Sequence, residues 1–292
     1  MPMVLKTLND ELSTPVNQVD VDRLVRTISY DKSLVAQCLR MANSALYRQR
    51  GDVNTVGEAV LSLGILRIRD LVFSCTLPQM FTSLNGIVPK EVFWRHALGT
   101  ALVAQALNRH FSDSLNEDIY VAGLLHDIGV LVNALLFPED FQDIMKLAVT
   151  EGVPVSTVER HILGFTHAES GRILADSWKL ALDVSSAIEC HHQPELEVPT
   201  REGTFLVYVA DQFCLSSTMG YGYQLREGEV ATTNQLWHML CDRLPRARRY
   251  DFEAVETMLL STLHAAAELA DRVFGQSPSG SESVSISEID QC

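Results

Sequence analysis

The stretch Tyr120-Val-Ala-Gly-Leu-Leu-His-Asp-Ile-Gly129 sets an imidazole and a carboxylate side by side within an otherwise apolar run. Left unpartnered in an apolar setting, a polar group costs about 2–7 kcal/mol and a charge more. Any fold of this chain must therefore bring partners to His126 and Asp127. Those partners are either backbone and side-chain hydrogen bonds or a divalent metal completed by residues far away in sequence. Gly129 predicts a helix end or kink directly after the pair.

Helical patterning dominates the chain around this stretch. Asp20 precedes Val21, Leu24, Val25 and Ile28 at helical spacing, and Asp31 is placed to cap a helix from Lys32 to about Tyr47. Thr55-Val-Gly-Glu58 reads as a capping box for a short helix stopping at Gly64, followed by a helix over 65–80. Pro89 opens a long helix to about Phe111, with Phe93, His96, Thr100, Val103, Ala104 and Leu107 on one face. The His126-Asp127 helix starts near Asn116, and Pro138 opens the next, which Gly152 ends. Ser156-Thr-Val-Glu159 reads as a second capping box. Thr166-His-Ala-Glu169 reads as a third, placing His167 at the first position of a helix reaching Leu180. Asp183 or Ser185 is expected to cap a helix ending at His191-His192, before Pro194. Arg201 to about Ser217 is helical, and Asp211 lies on its apolar face and needs a partner. Two more helices follow, at about 233–244 and 252–274. The Ser/Gly/Glu-rich stretch 276–292 is expected to be disordered.

Composition narrows the function classes. Hydrophobic residues make up 47% of the 292, which implies a globular protein with ample core. The net charge of −14 argues against nucleic acid or an anionic membrane as partner. Arg243, Arg246, Arg248 and Arg249 form a local basic cluster, read as a solvated surface turn. The six cysteines (Cys38, Cys75, Cys190, Cys214, Cys241, Cys292) show no CxxC spacing, which suits reduced thiols in a cytoplasmic protein. No signal-peptide pattern opens the chain, and no run is expected to reach the ~18–20 apolar residues of a membrane span.

The awkward polar groups of the second half are His96, His126, Asp127, His167, His191, His192 and Asp211. Imidazoles with carboxylates are the ligand chemistry of a one- or two-metal site holding Fe, Mn or Zn. In such a site His126, Asp127, His96 and Asp211 would hold one ion, and His167, His191 and His192 a second. His167 at a helix N-terminus is expected to have depressed basicity, which suits a neutral ligand. A metal-free core in which these groups satisfy one another is the alternative. His110, His161, His238 and His264 are read as surface or structural.

His126-Asp127 with its flanking candidates resembles the HD superfamily of metal-dependent phosphohydrolases. The first half resembles something narrower. Tyr30-Asp-Lys-Ser-Leu-Val-Ala-Gln-Cys-Leu-Arg-Met-Ala-Asn-Ser-Ala-Leu-Tyr47 is similar to a signature block of HDOD domains, the HD-related output domains of bacterial signalling. Val53 to Gly64 with Arg67-Ile-Arg-Asp-Leu71, Gly164 to Gly171 and Ala187 to Pro194 resemble further blocks in the same order, over residues 5–215. The resemblance implies an all-α fold, with an N-terminal helical bundle packed on an HD-like helical bundle. It also implies a non-catalytic regulatory module whose partners are signalling proteins of two-component or cyclic-dinucleotide pathways. Residues 1–84 are then an N-terminal lobe, 85–217 an HD-like lobe and 218–275 additional helices. No receiver, kinase, cyclase or DNA-binding segment is recognisable, so a stand-alone HDOD protein is expected. The related HD-GYP phosphodiesterases follow HD with Ile-Gly-Lys, whereas this chain has Ile128-Gly129-Val130 and lacks a Gly-Tyr-Pro loop. A metal-dependent phosphohydrolase acting on a nucleotide or cyclic dinucleotide, with His126 and Asp127 catalytic, is the competing reading.

Overall fold

The computed structural model describes residues 1–12, 19–48, 51–84, 88–193, 201–217, 219–220 and 230–274. All regular structure among them is helical. The expectations for the tail 276–292, for Cys292 and for Pro194 lie outside the described residues. Two compact units form, one of residues 1–82 with the end of the last helix from 268, the other of residues 83–267.

The first unit contains α1 (Met3–Leu12), α2 (Val21–Ser29), α3 (Lys32–Ala42), α4 (Val56–Leu63) and α5 (Ile65–Met80). Leu5, Leu8, Leu24, Ile28, Leu34, Cys38 and Met41 are buried, the outcome expected of apolar side chains at helical spacing. Asp20 accepts from Arg23 N at 2.8 Å, and Asp31 accepts from Ser33 N and Leu34 N at 2.8 and 3.0 Å, so both aspartates cap as their positions imply. Helix α3 stops at Ala42 instead of reaching Tyr47. The cause is Asn43, whose Nδ2 donates to the Val53 carbonyl while its Oδ1 accepts from Val53 N, both at 2.8 Å. This clasp binds the following loop in place of another helical turn. Asn43→Ala removes both bonds and is expected to cost about 1–2 kcal/mol, seen as a lower urea midpoint with an unchanged slope. Thr55 caps α4 by accepting from Glu58 N at 3.1 Å. The Glu58 carboxylate, however, takes Asn54 N at 2.7 Å, so the reciprocal half of the box is shifted by one residue.

The second unit holds α6 (Lys90–Phe111), α7 (Ile119–Leu125), α8 (Ile128–Leu136), α9 (Pro138–Glu151), α10 (Val155–Ile162), α11 (His167–Ser177), α12 (Leu182–Cys190), α13 (Arg201–Leu215), α14 (Thr233–Arg243) and most of α15 (Phe252–Phe274). Helix α6 lies against α7 and α13, α11 against α8 and α12, and α12 against α7 and α13. Helices α9 and α10 share a small core of Ile144, Ala148 and Val158. Thr166 and Glu169 form the capping box expected at the start of α11. The helix ends at Ser177, short of Leu180, where Lys179 adopts a left-handed φ of 55°. Neither Asp183 nor Ser185 caps α12. That helix starts directly after Ala181, and the Ser185 hydroxyl donates back to Ala181 and Leu182 carbonyls.

The segment Ile119–Leu136 is long and apolar enough to cross a membrane, contrary to the expectation that no run would be. In the fold 78% of it is buried and it breaks at His126-Asp127, so here it is a core element. The arginine cluster is also more than a solvated turn. Arg243 stacks over the Phe205 ring at 4.7 Å, Arg246 donates to the Ser112 carbonyl, and Arg248 donates to the Cys241 carbonyl. Cys38, Cys75, Cys190 and Cys214 are buried free thiols, and Cys241 is half-buried and free.

Candidate metal centre

The break between α7 and α8 falls on His126 and Asp127 themselves, not after Gly129. Gly129 sits inside α8, and its role is close approach. A β-carbon there would overlap the His167 carbonyl and lie 2.8 Å from Gly171 N. This contact lets α8 and α11 touch through backbone and brings His167 next to Asp127.

Each buried histidine is oriented through its Nδ1. His126 and His191 occupy the C-terminal caps of α7 and α12, where carbonyls lack a full set of intrahelical partners. His126 Nδ1 donates to the Gly123 carbonyl and His191 Nδ1 to the Ile188 carbonyl, both at 2.8 Å. His96, in the second turn of α6, donates Nδ1 to the Met219 carbonyl at 3.0 Å. His167 places Nδ1 2.6 Å from Glu159 Oε2. A carbonyl only accepts, so the proton on Nδ1 is fixed and Nε2 is the atom left to face inward.

Those Nε2 atoms converge on two carboxylates. His96 Nε2 is 3.1 Å from Asp211 Oδ1 and 3.3 Å from His126 Nε2. His126 Nε2 is 3.6 Å from Asp211 Oδ1 and 3.3 Å from Asp127 Oδ2. Asp127 Oδ1 faces His191 Nε2 at 3.0 Å and His167 Nε2 at 3.3 Å. His167 Nε2 in turn lies 2.8 Å from His192 Nε2. The seven sequence candidates therefore gather, and Asp127 joins two groups: His96, His126 and Asp211 on one side, His167, His191 and His192 on the other. All but His192 are buried. His110, half-buried, donates to the Ala106 carbonyl, and His161, His238 and His264 are exposed.

The spacing suits metal ions. Bonds of ~2.0–2.2 Å in tetrahedral or octahedral geometry put neighbouring donors about 2.8–3.6 Å apart, the range these pairs span. Lone pairs of Nε2 facing one another and facing carboxylates repel unless a cation lies between them, either a proton or a metal ion. Without metal the proton takes that role. Burial opposes charge on His126, but Asp127 and Asp211 outweigh it and raise its pKa to about 10. Burial likewise opposes charge on His167, and the carboxylates of Asp127 and Glu159 raise it to about 10. The helix N-terminus does not depress its basicity as expected, because two adjacent carboxylates are stronger than a helix dipole. Burial disfavours the charged forms of Asp127 and Asp211, yet the facing imidazoles hold both well below the usual carboxylate range.

Glu159 escaped the sequence reading, which assigned it to a capping box. Helix α10 begins at Val155 after Pro154, with no side-chain cap, so Glu159 lies beyond the capping position. It is fully buried and accepts from His167 N at 2.8 Å and from Asn133 Nδ2 at 2.9 Å, besides the His167 ring. Pro154 was the available signal, since a proline favours the opening of a helix and shifts its start away from Ser156.

A family model for the HDOD domain matches residues 1–194. An uncharacterized protein of Treponema pallidum (strain Nichols) is 26% identical over 193 residues, covering 66% of this chain and 37% of that protein. Among solved structures, an HDOD domain protein of unknown function from Geobacter sulfurreducens superposes with a TM-score of 0.81 at 24% identity, covering 94% of this chain and 92% of the other. A candidate phosphohydrolase from Shewanella amazonensis SB2B gives 0.72 at 23% identity, with 94% of both chains covered. A candidate signal transduction protein from Marinobacter aquaeolei VT8 gives 0.73 at 24% identity, over 94% of this chain and 59% of that one. At these identities the structures establish a shared fold.

Proposed function

The chain belongs to the HDOD domain family, and from that premise we propose that it is a non-catalytic signal-transduction module of the bacterial cytoplasm. In this reading the buried cluster holds a divalent metal, Fe, Mn or Zn, as a structural or sensory centre. Residues 1–84 contact a signalling protein of a two-component or cyclic-dinucleotide pathway, residues 85–217 hold the metal, and 218–275 supply the additional C-terminal helices.

The observation that carries the proposal is closure of the centre. His96, His126, Asp127, His167, His191 and Asp211 are buried, and only His192 of the set reaches solvent. A hydrolytic metal site keeps a coordination position open for water and substrate. A phosphodiester bridging two metals would need access on both sides of Asp127. Val130, half-buried in α8, supports the same reading, because it stands where the resembling phosphodiesterases carry a lysine. The competing reading, a phosphohydrolase, draws on the sharing of Asp127 between two histidine groups, an arrangement that suits a two-metal clamp.

Elemental analysis and a phosphodiester assay with added manganese or ferrous iron separate the two. The proposal expects bound metal without turnover. Hydrolysis of a cyclic dinucleotide that Asp127→Ala abolishes would overturn it.

A further inference from the structure

The four buried imidazoles are not backed equally. His96, His126 and His191 donate Nδ1 to the carbonyls of Met219, Gly123 and Ile188, which are neutral. His167 alone among them donates to a carboxylate, Glu159. That carboxylate is fully buried. Its three donors are His167 N at the first position of α11, the His167 ring and the Asn133 amide. No lysine or arginine pairs with it among the described residues. A buried carboxylate without a cationic partner is costly. Its charge is compensated only through the His167 ring, by a proton or by a metal ion on Nε2.

We propose that Glu159 is the positioning residue that makes the two halves of the cluster unequal. The half formed by Asp127, His167, His191 and His192 is the tighter metal site and fills first. The half formed by His96, His126, Asp127 and Asp211 fills second. This inference rests on the reading of the cluster as a metal centre. The physical reason is that a carboxylate behind an imidazole fixes the ring and raises its basicity as a ligand, an effect typically worth about 10–100-fold in metal affinity when removed. Glu159 lies at the positive N-terminal end of α11, where a helix dipole favours an anion, and the His167 N–H holds it there. Asn133, on α8 one turn beyond Gly129, keeps the carboxylate aimed at the ring.

The test is titration of the metal-stripped full chain with Zn²⁺, read by calorimetry and by elemental analysis after gel filtration. Wild type is expected to bind in two resolved steps. Glu159→Gln, nearly isosteric but uncharged, is expected to weaken the first step about 10–100-fold while leaving the second within threefold. Asp211→Asn is expected to weaken the second step and spare the first. Asn133→Ala keeps the Glu159 charge and removes one donor, so it should weaken the first step by a smaller factor. If Glu159→Gln fails to fold by circular dichroism, Asn133→Ala decides the matter. Unchanged affinities in the folded variant, or equal weakening of both steps, would overturn the asymmetry. Wild-type protein that binds no Zn²⁺ at all would instead defeat the metal-centre reading itself.

Discussion

Gly129→Ala is expected to cost about 3 kcal/mol or more, more than the same change at Gly123 or Gly171. The added carbon would overlap the His167 carbonyl and sit 2.8 Å from Gly171 N. Both obstacles are backbone, so no rotamer change relieves them and α8 must move away from α11. Two neighbouring glycines face milder obstruction. At Gly123 a β-carbon meets Ala101 Cα at 2.8 Å and Thr100 O at 3.1 Å, backbone again but without the outright overlap found at Gly129. At Gly171 the nearest atom is Ile188 Cγ2 at 2.8 Å, a side chain, and the backbone across the contact comes no nearer than Gly129 N at 3.2 Å. Urea midpoints should therefore fall most for Gly129→Ala, next for Gly123→Ala and least for Gly171→Ala. The Gly129 variant should also lose metal affinity, because the displaced carbonyl belongs to His167. A Gly129→Ala protein as stable as the Gly171→Ala one would contradict the close approach of the two helices.

Metal uptake is expected to release protons and to strengthen steeply with pH. His126 and His167 each rise from an ordinary 6.5 to about 10 in the metal-free protein. Groups raised on folding stabilise the folded state fully below their unfolded value. That stability is lost as pH climbs from ~6.5 through about 10. Asp127 and Asp211 are depressed on folding. Their contribution is present above ~3.8 and is lost as pH falls below it. The metal-free protein should thus be most stable between these limits, and its melting temperature should drop from pH 7 to pH 10. A metal ion takes the Nε2 positions only by displacing the protons. Loading near neutral pH should therefore release about two protons and gain up to a hundredfold in affinity per pH unit. Calorimetry in buffers of different ionisation enthalpy measures that release directly. Metal-loaded protein should hold its melting temperature at pH 10 where the stripped form does not. Zero proton release between pH 6 and 9 would mean that no metal binds at these rings.

Much of this was legible in the chain because it depends on local physics. Helical periodicity and the capping aspartates Asp20 and Asp31 act within a turn or two of themselves, so they fix helix type and helix starts before any packing occurs. The same holds for Thr166 with Glu169. Candidate ligands were legible for a related reason: an ionisable group in an apolar run, such as Asp211 on α13 or His126-Asp127, must find a partner somewhere. Which partner it finds is not a local question. The pairing of Asp211 with His96, more than a hundred residues away, and the bridging position of Asp127 exist only once α6, α7, α11, α12 and α13 have packed. Glu159 shows the limit most clearly, since four residues of sequence make it look like a cap while the fold buries it against His167. Gly129 shows it in reverse, a residue that reads as a helix stop but serves as the bare contact between two helices. Local patterning thus dictates an all-helical fold with a set of polar groups that could not stay apart. The order in which they meet follows from helix packing, because distances between helices are set by side-chain volume and backbone approach rather than by spacing along the chain.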